Sequence, residues 1–413
     1  MFEAKRNSPM LFVAHYSEVA LKGNNRPEFV RALRRGMNRA LGGLDHSVTY
    51  SEGRFIIEAA AEEHEVAKRL SRVFGITWFA PVRVVPAEYP KILESVLASS
   101  AVPDARTFRI VVRRVDKSFP TNSQDLAANL GAEVVKATRK AVDLSDPDLS
   151  VHVDIVKGRA LVYQAKSKGP GGLPLGTAGR VMHLFSGGID SPVAAWLLMK
   201  RGTRPVYLHF YLAPTPQAAV DSKITKLVKI LSAYGGKSTL VLVPFADYQL
   251  ATTGVPGYLE PSLFRRFMRM TAEGIAPRFE AKAISTGDSL SQAASQTLWN
   301  IASFDEGSTL PILRPLLTYD KDEIIGLARH IGTYELSLEE YKDCCAIITR
   351  HPRTRVKAEE VSDHVMRLGL QDLVWRSVAR SSLVTYNPAR DILKVSAFAE
   401  ALPEHEDSAR DAA

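Results

Sequence analysis

Apolar and polar residues change their spacing several times along this chain. The apolar run Leu11–Tyr16 predicts a strand, and "SEVALKGNNRPEF" after it reads as a loop. A helix follows through "FVRALRRGMNRAL", in which Arg31, Arg34, Arg35 and Arg39 recur at helical spacing. The alternating "SVTYSEGRFIIEAA" predicts short strands, Glu63–Val73 a helix, and "TWFAPVRVVP" another strand. Strands and helices alternating at this length predict small α+β units. A second such unit runs from Lys91 to Ala165. In it Phe108, Ile110 and Val112 alternate as a buried strand face, with Arg109 and Arg113 pointing the other way. A loop carrying Lys117, a helix over Ser123–Thr138, and the strands "LSVHVDIVKG" and "RALVYQAKS" complete it.

The stretch "KGPGGLPLGTAG", residues 168 to 179, is dense in glycine and proline and reads as a linker or functional loop. Beyond it the units lengthen. "RVMHLF" precedes a helix at 193–201, "PVYLHFYL" a helix at 217–234, "STLVLVPF" a helix near 261–278, and "AKAISTG" a helix at 290–301. That order predicts a parallel sheet with helices on both faces. The pattern divides the chain into 1–60, 61–166, a Gly/Pro-rich linker at 167–179, 180–400, and a polar tail at 401–413.

Composition narrows the class. The 413 residues are 46% hydrophobic and 24% charged, as in a globular chain with a sizeable core. The net charge of +8 favours a polyanionic partner such as nucleic acid, or anionic small substrates. Two cysteines, Cys344 and Cys345, argue against a disulfide scaffold and for a reducing compartment. The apolar run "MLFVA" is too short for a signal peptide, and no run approaches membrane-span length, so the expected location is the cytoplasm, with no membrane partner.

The chemistry concentrates in "HLFSGGIDSP", residues 183 to 192, where a strand runs into the amino end of a helix. Free backbone N–H groups and the positive dipole end there bind phosphate. Gly187 and Gly188 let the backbone approach phosphate oxygens, and Ser186 and Ser191 add hydroxyl donors. Asp190 suits Mg²⁺ rather than bare phosphate, and Pro192 fits the first helical turn. No G-x-x-x-x-G-K-[ST] occurs, which excludes a Walker-type loop. The pattern S-G-G-x-D-S-P resembles the PP-loop of ATP pyrophosphatases.

Longer motifs extend that resemblance: "HYSEVALKGNNRPEF", "RRVDKSFP", "GPGGLPLGTAGRVMHLFSGGIDSPVAAWLLMKRG", "TGDSLSQAASQTLWN", "ILRPLLTYDKDEI", and "YKDCCAI" followed by "HPRT". Together they are similar to the tRNA uracil 4-sulfurtransferase (4-thiouridine synthase) family, although Ser17 stands where the family usually has glycine. The resemblance implies an N-terminal ferredoxin-like domain, a THUMP domain, and a PP-loop domain with a parallel sheet. It implies ATP and Mg²⁺ as cofactors, and a reaction that adenylates the C4 oxygen of uridine 8 in tRNA and replaces it with persulfide sulfur.

Site residues carry over by match. For ATP the resemblance implies His183 and Leu184, the Ser186–Ser191 loop, His209, Phe210, Arg265, Gly287 and Gln296. Leu184 and Phe210 would pack against adenine, Arg265 would offer its fork to a phosphate, and Gly287 would open the helix that carries Gln296. Asp288 reads as the N-cap of that helix, with a metal-holding or substrate-positioning carboxylate as the other roles open to it. Cys345 aligns with the sulfur-carrying cysteine; Cys344 is its neighbour and the alternative carrier. Lys342, Arg350 and His351 would favour a thiolate.

Lys22, Arg26, Arg109, Arg113, Arg114 and Lys117 are candidates for tRNA backbone contacts, which are salt-dependent and shape-directed. Without a second cysteine-bearing domain the chain resembles the family's short form, which takes sulfur from a donor such as a cysteine desulfurase. Two cysteines exclude a three-cysteine iron–sulfur cluster within one subunit, and no zinc spacing is present. The family resemblance also implies a homodimer and a second role in supplying thiazole sulfur for thiamine synthesis. The competing readings are another PP-loop tRNA-modifying enzyme and a non-catalytic THUMP RNA-binding protein.

Overall fold

A computed structural model of the chain describes residues 9–341, 344 and 353–400. The chain divides into two compact units, Met1–Pro174 and Leu175–Ala413. In the first, β1 (Met10–His15) leads into a 3-10 turn over Glu18–Asn25, where the sequence suggested an unstructured loop. Helix α1 (Arg26–Ala40) buries Val30, Ala32, Leu33 and Met37 and leaves Arg31, Arg34 and Arg35 outside, the amphipathic arrangement its spacing predicts. β2 (His46–Ser51) and β3 (Arg54–Ala59) form a hairpin whose two turn residues, Glu52 and Gly53, both have positive φ, which matches the twist of the strands. α2 (Glu63–Leu70) and β4 (Trp78–Pro81) follow. Because β4 pairs with β1, this first sheet runs past residue 60, where the sequence reading set its boundary.

The second sheet is built from β5 (Arg83–Pro86), β6 (Thr107–Arg114), β7 (Ala141–Val142), β8 (Leu149–Val156) and β9 (Arg159–Tyr163), with α3 (Tyr89–Ser100) and α4 (Ser123–Thr138) packed on it. Its order is β5-β9-β8-β6-β7. Of the expected buried face on β6, Phe108 is fully buried while Ile110 and Val112 are half-buried. The glycine-rich stretch begins as structure rather than as linker. β10 (Ser167–Lys168) pairs with β4, and Gly169 and Gly171 donate their N–H groups to Thr77 and Ile76. A Cβ on Gly169 would stand 2.3 Å from the Ile76 carbonyl oxygen, so only glycine fits. The first sheet thus reads β10-β4-β1-β3-β2.

The two sheets of this unit share a seam. His15, Trp78, Tyr163 and His152 stack in sequence, with ring centroids 4.2, 5.6 and 5.0 Å apart. Beneath the stack Arg54 of β3 donates to Asp154 of β8 at 2.7 Å, with both side chains almost wholly buried. Burial, reinforced by Arg54, Arg113 and Lys166, pushes His15 down to about 3.

The second unit is the predicted α/β layer. Strands β11 (Arg180–Leu184), β12 (Arg204–Tyr211), β13 (Ser238–Pro244), β14 (Ala281–Ser285) and β15 (Ile312–Leu313) are parallel. Helices α5 (Asp190–Lys200), α6 (Pro216–Val220), α7 (Lys223–Gly235), α8 (Ala246–Ala251) and α9 (Glu260–Ile275) connect the first four. The single helix expected at 217–234 is split because the Ser222 hydroxyl caps a new helix at the Ile224 N–H. After β14 come α10 (Leu298–Asp305), α11 (Lys321–Ile331), α12 (Tyr334–Leu338), α13 (Ala358–Arg367) and α14 (Leu370–Ala379). An antiparallel hairpin, β16 (Ser382–Asn387) and β17 (Ile392–Ala397), closes one edge, giving the order β15-β14-β11-β12-β13-β16-β17. The sequence reading missed that hairpin.

The core is aromatic on the α9 side. Phe210, Phe245, Tyr248, Phe264 and Phe267 pack with centroids 4.8 to 5.8 Å apart. Strand order reverses at β11, whose neighbours are β12 on one side and β14 on the other. In such sheets ligands bind beyond the carboxyl ends of the strands at that reversal. Among the described residues no helix is long and apolar enough to cross a membrane.

Candidate active site

At that reversal lies a cavity of about 480 Å³. The end of β11, the loop into α5, the end of β12, one face of α9, and the loop after β14 form its walls. Of the nucleotide-binding candidates, Leu184, Ser186, Asp190, Ser191, His209, Phe210, Arg265, Gly287 and Gln296 line it. His183, Gly187 and Gly188 do not. His183 lies wholly buried behind the loop, with Nδ1 2.7 Å from the Ser285 hydroxyl and Nε2 2.9 Å from the Ser191 carbonyl. A carbonyl only accepts, so Nε2 carries the proton and Nδ1 accepts from Ser285. Burial pushes this imidazole down to about 4.

A group held neutral in the fold but titrating near 6.5 when unfolded stabilises the native state fully above pH 6.5. That contribution is lost as the pH falls from 6.5 to about 4, and for His183 its limit is roughly 3 kcal/mol. We expect denaturant midpoints of the nucleotide-site unit to fall across that window. The slope should be shallower in His183→Gln; equal slopes in the two proteins would refute the assignment.

The loop Phe185–Ser191 differs in detail from expectation. The Ser191 hydroxyl is turned into the loop, where it accepts from the Ser186 N–H at 3.1 Å, instead of facing a ligand. Gly187 is also confined by a neighbour. A Cβ there would stand 2.7 Å from Cε of Lys223, whose buried Nζ is held by the Ser337 and Glu339 carbonyls at 3.0 and 2.6 Å. Gly188 is exposed, and its nearest neighbour to an added Cβ is the Ser186 hydroxyl at 3.6 Å. The amino end of α5 has no side-chain cap, and its first residues Asp190 and Ser191 line the cavity, so the positive end of the helix dipole is available to an anion there.

Asp190 stands at the cavity mouth between two partners. Lys321 Nζ reaches its Oδ1 at 2.7 Å and Gln292 Nε2 its Oδ2 at 2.8 Å. Neither partner was singled out in the sequence, although Lys321 lies in the recognised "ILRPLLTYDKDEI" motif and Gln292 in "TGDSLSQAASQTLWN". Only the fold brings them to a loop more than a hundred residues earlier.

The segment after β14 departs from expectation most. Gly287 opens no helix. The chain runs irregularly to a 3-10 turn at Ala294–Gln296, and α10 starts only at Leu298, capped by Thr297. Gly287 is needed because a Cβ would lie 3.0 Å from the Ser191 N and 3.1 Å from its Cα, so the two loops touch backbone to backbone. Asp288 caps nothing. Its carboxylate takes both arms of Arg265, at 3.0 and 2.7 Å, together with the Thr286 hydroxyl and Arg314. Burial alone would raise this carboxyl; the Arg265 charge and hydrogen bonds, Thr286 and Arg314 outweigh it and hold it below the ordinary range. Arg265 therefore lines the cavity with its fork engaged by Asp288 rather than turned to a phosphate.

Near the cysteines, Tyr341 donates its hydroxyl to His209 Nε2 at 2.8 Å, while His209 Nδ1 donates to the Phe185 carbonyl at 2.8 Å. Cys344 is buried, and its thiol donates to the Phe210 carbonyl at 3.2 Å. Cys345, Lys342, Arg350, His351 and the 401–413 tail lie outside the described residues.

The RNA candidates belong to the first unit. Arg113 and Lys117 are exposed, whereas Arg26 donates to the Tyr16 hydroxyl at 2.8 Å. Arg109 donates to Ser150 and Leu144, Arg114 donates to the Phe119 carbonyl, and Lys22 lies 5.1 Å over the Phe29 ring.

Fold and site define a nucleotide-binding α/β domain of the PP-loop class, in a chain that also carries a ferredoxin-like and a THUMP domain. Family models match each part: ThiI ferredoxin-like domain at residues 11–80, THUMP domain at 91–164, and Thiamine biosynthesis protein (ThiI) at 176–370. A probable tRNA sulfurtransferase of Moorella thermoacetica is 38% identical over 385 residues, 92% of this chain and 99% of that one. Another from Geobacillus sp. is 38% identical over 89% of this chain and 93% of its own length. A crystal structure of a 4-thiouridine synthetase–RNA complex with bound ATP superposes with a TM-score of 0.81 at 31% identity, covering 92% of this chain and all of that one. The chain belongs to the tRNA sulfurtransferase family.

Proposed function

We propose that this protein is an ATP-dependent tRNA sulfurtransferase that converts uridine 8 of tRNA to 4-thiouridine. The observation that carries the reading is the uncapped α5 amino end beside Asp190 and Lys321, at a cavity that Leu184, Phe210, Phe264 and Met268 also line. Adenine would pack among Leu184, Phe210 and Met268, and the β- and γ-phosphates would lie on the loop N–H groups with Lys321. Asp190 would hold the Mg²⁺ that accompanies the nucleotide.

The uridine O4 attacks the α-phosphorus, the bond to the bridging oxygen breaks, and pyrophosphate leaves onto donors already in place. O4 now belongs to AMP, a far better leaving group than a bare carbonyl oxygen. The terminal sulfur of a Cys345 persulfide forms a bond to C4, and the C4–O bond breaks with its electron pair going to AMP. A second thiol then attacks the Cys345 sulfur. The sulfur–sulfur bond breaks, 4-thiouridine departs, and a disulfide remains that an external dithiol reduces. A donor protein such as a cysteine desulfurase would reload the persulfide. The tRNA would be gripped through exposed cations of the first unit, among them Arg113 and Lys117. The same persulfide would serve thiamine synthesis, to which the description of the matching family model points.

The test is a reconstitution with tRNA, ATP and a persulfide donor. Wild type is expected to make pyrophosphate and 4-thiouridine together. Cys345→Ser should still release pyrophosphate but lose 4-thiouridine. Sulfuration that proceeds without ATP, or survives in Cys345→Ser, would refute the reading.

A further inference from the structure

Asn300 is a buried amide that none of the chemistry above uses. It sits in the first turn of α10, and every polar atom of its side chain is engaged. Nδ2 donates to the Ala294 carbonyl at 2.7 Å and to the Arg353 carbonyl at 2.9 Å, while Oδ1 accepts from the Val356 N–H at 3.0 Å. Thr297, the cap of the same helix, accepts from the Asn300 N–H and donates to the Thr354 carbonyl. Two short stretches of backbone are therefore tied at one side chain. One is the 3-10 turn at Ala294–Gln296, which lines the nucleotide cavity. The other is Arg353–Val356, the described segment that follows the cysteine pair along the chain. Before Cys345, Tyr341 and Cys344 are bonded to His209 and to the carbonyl of Phe210, two further cavity residues.

The described residues that precede and follow Cys345 in sequence are thus bonded to walls of the cavity proposed for ATP. Only an amide meets the demand at position 300. Two carbonyls need donors and one N–H needs an acceptor, which a carboxylate cannot supply and an aliphatic side chain leaves unmet.

We propose that Asn300 is a positioning residue for sulfur transfer: it ties Arg353–Val356, the backbone that follows the cysteine pair in sequence, to the 3-10 turn of the cavity wall without lining the cavity itself. The proposal rests on the sulfurtransferase reading. It places the larger effect after adenylation: Asn300 makes no bond to the phosphate-facing loop or to Asp190, and reaches the cavity wall only through Ala294. A displacement of about 1 Å in a reacting group costs on the order of 10²-fold in rate, so the loss should fall on the step that needs the cysteine.

The experiment is a single turnover with full-length enzyme in excess over tRNA, ATP and a persulfide donor, reading pyrophosphate and 4-thiouridine in the same sample. For Asn300→Ala, 4-thiouridine per pyrophosphate is expected down by about 10-fold or more, beyond whatever pyrophosphate loses through the turn at Ala294. Thr297→Val removes only the tie to Thr354 and weakens the cap, and should lower the same ratio by about 3-fold; it remains informative if Asn300→Ala does not fold. An unchanged ratio in folded Thr297→Val, or pyrophosphate and 4-thiouridine falling in parallel in folded Asn300→Ala, would overturn the proposal. Absence of both products from wild type would overturn the sulfurtransferase reading, and this proposal with it.

Discussion

Asp190→Ala is expected to lower tRNA-dependent pyrophosphate release by about 10²–10³-fold while the protein stays folded. The carboxylate lies at the cavity mouth, one-fifth exposed, and its partners Lys321 and Gln292 are themselves at the surface, so removing it leaves no buried charge alone. What is lost is local. Without Asp190, Lys321 and Gln292 lose the partner that fixes them at the cavity mouth, and the Mg²⁺ proposed to accompany the nucleotide would lose the carboxylate proposed to hold it. Thermal denaturation should change by little, because the pair is a partly exposed one of small net worth. A folded Asp190→Ala enzyme releasing pyrophosphate within 3-fold of wild type would remove the central element of the mechanism.

Arg54→Ala is expected to give the largest loss of stability, about 3–5 kcal/mol, confined to the first unit. The substitution strands Asp154 in the seam between two sheets, where the carboxylate keeps its burial and loses the guanidinium 2.7 Å away. Burial already raises the Asp154 carboxyl, and Arg54 and then Arg113 oppose it. With Arg54 gone, burial dominates and the carboxyl titrates higher still. The deficit should therefore be greatest at neutral pH and shrink as the pH falls through that raised value and the acid becomes neutral. Replacing both partners, Arg54→Met with Asp154→Leu, should recover most of the loss, because no buried charge remains. Hydrogen exchange at the β3 and β8 amides of the full chain reads this directly. A single variant costing under about 1 kcal/mol would show that the seam is wetter than its burial implies.

Much of the architecture was legible because it is local. Leu11–Tyr16, the Arg31/Arg34/Arg35 helix, and the strands leading to Phe185, Tyr211 and Ser285 declare themselves by period 2, period 3.6, or short apolar runs closed by glycine. The errors occurred where tertiary contacts override local signals. Residues 290–297 carry a pattern compatible with helix, but their backbone wraps a cavity wall and becomes regular only after Thr297 caps it. The glycine-rich stretch from 168 looked like a spacer, yet its first residues complete a sheet edge, because Thr77 and Ile76 offer carbonyls there.

Within the site, residue types were legible while their partners were not. Arg265 was readable as a fork, but that it closes on Asp288 depends on α9 and the β14 loop meeting. Gly187 and Gly287 were readable as places without a Cβ; the sequence alone determined that a bare strand-to-helix turn stands before Pro192, and that two adjacent cysteines lie far downstream. Only the tertiary structure decided that Gly187 makes room for Lys223, that Gly287 lets two loops touch at Ser191, that Lys321 and Gln292 meet at Asp190, and that Asn300 ties the Ala294 turn to Arg353–Val356. The physical reason is range: periodicity, caps and turn chemistry act over a few residues, whereas packing and hydrogen bonds between loops are set by which strand ends the sheet order brings together.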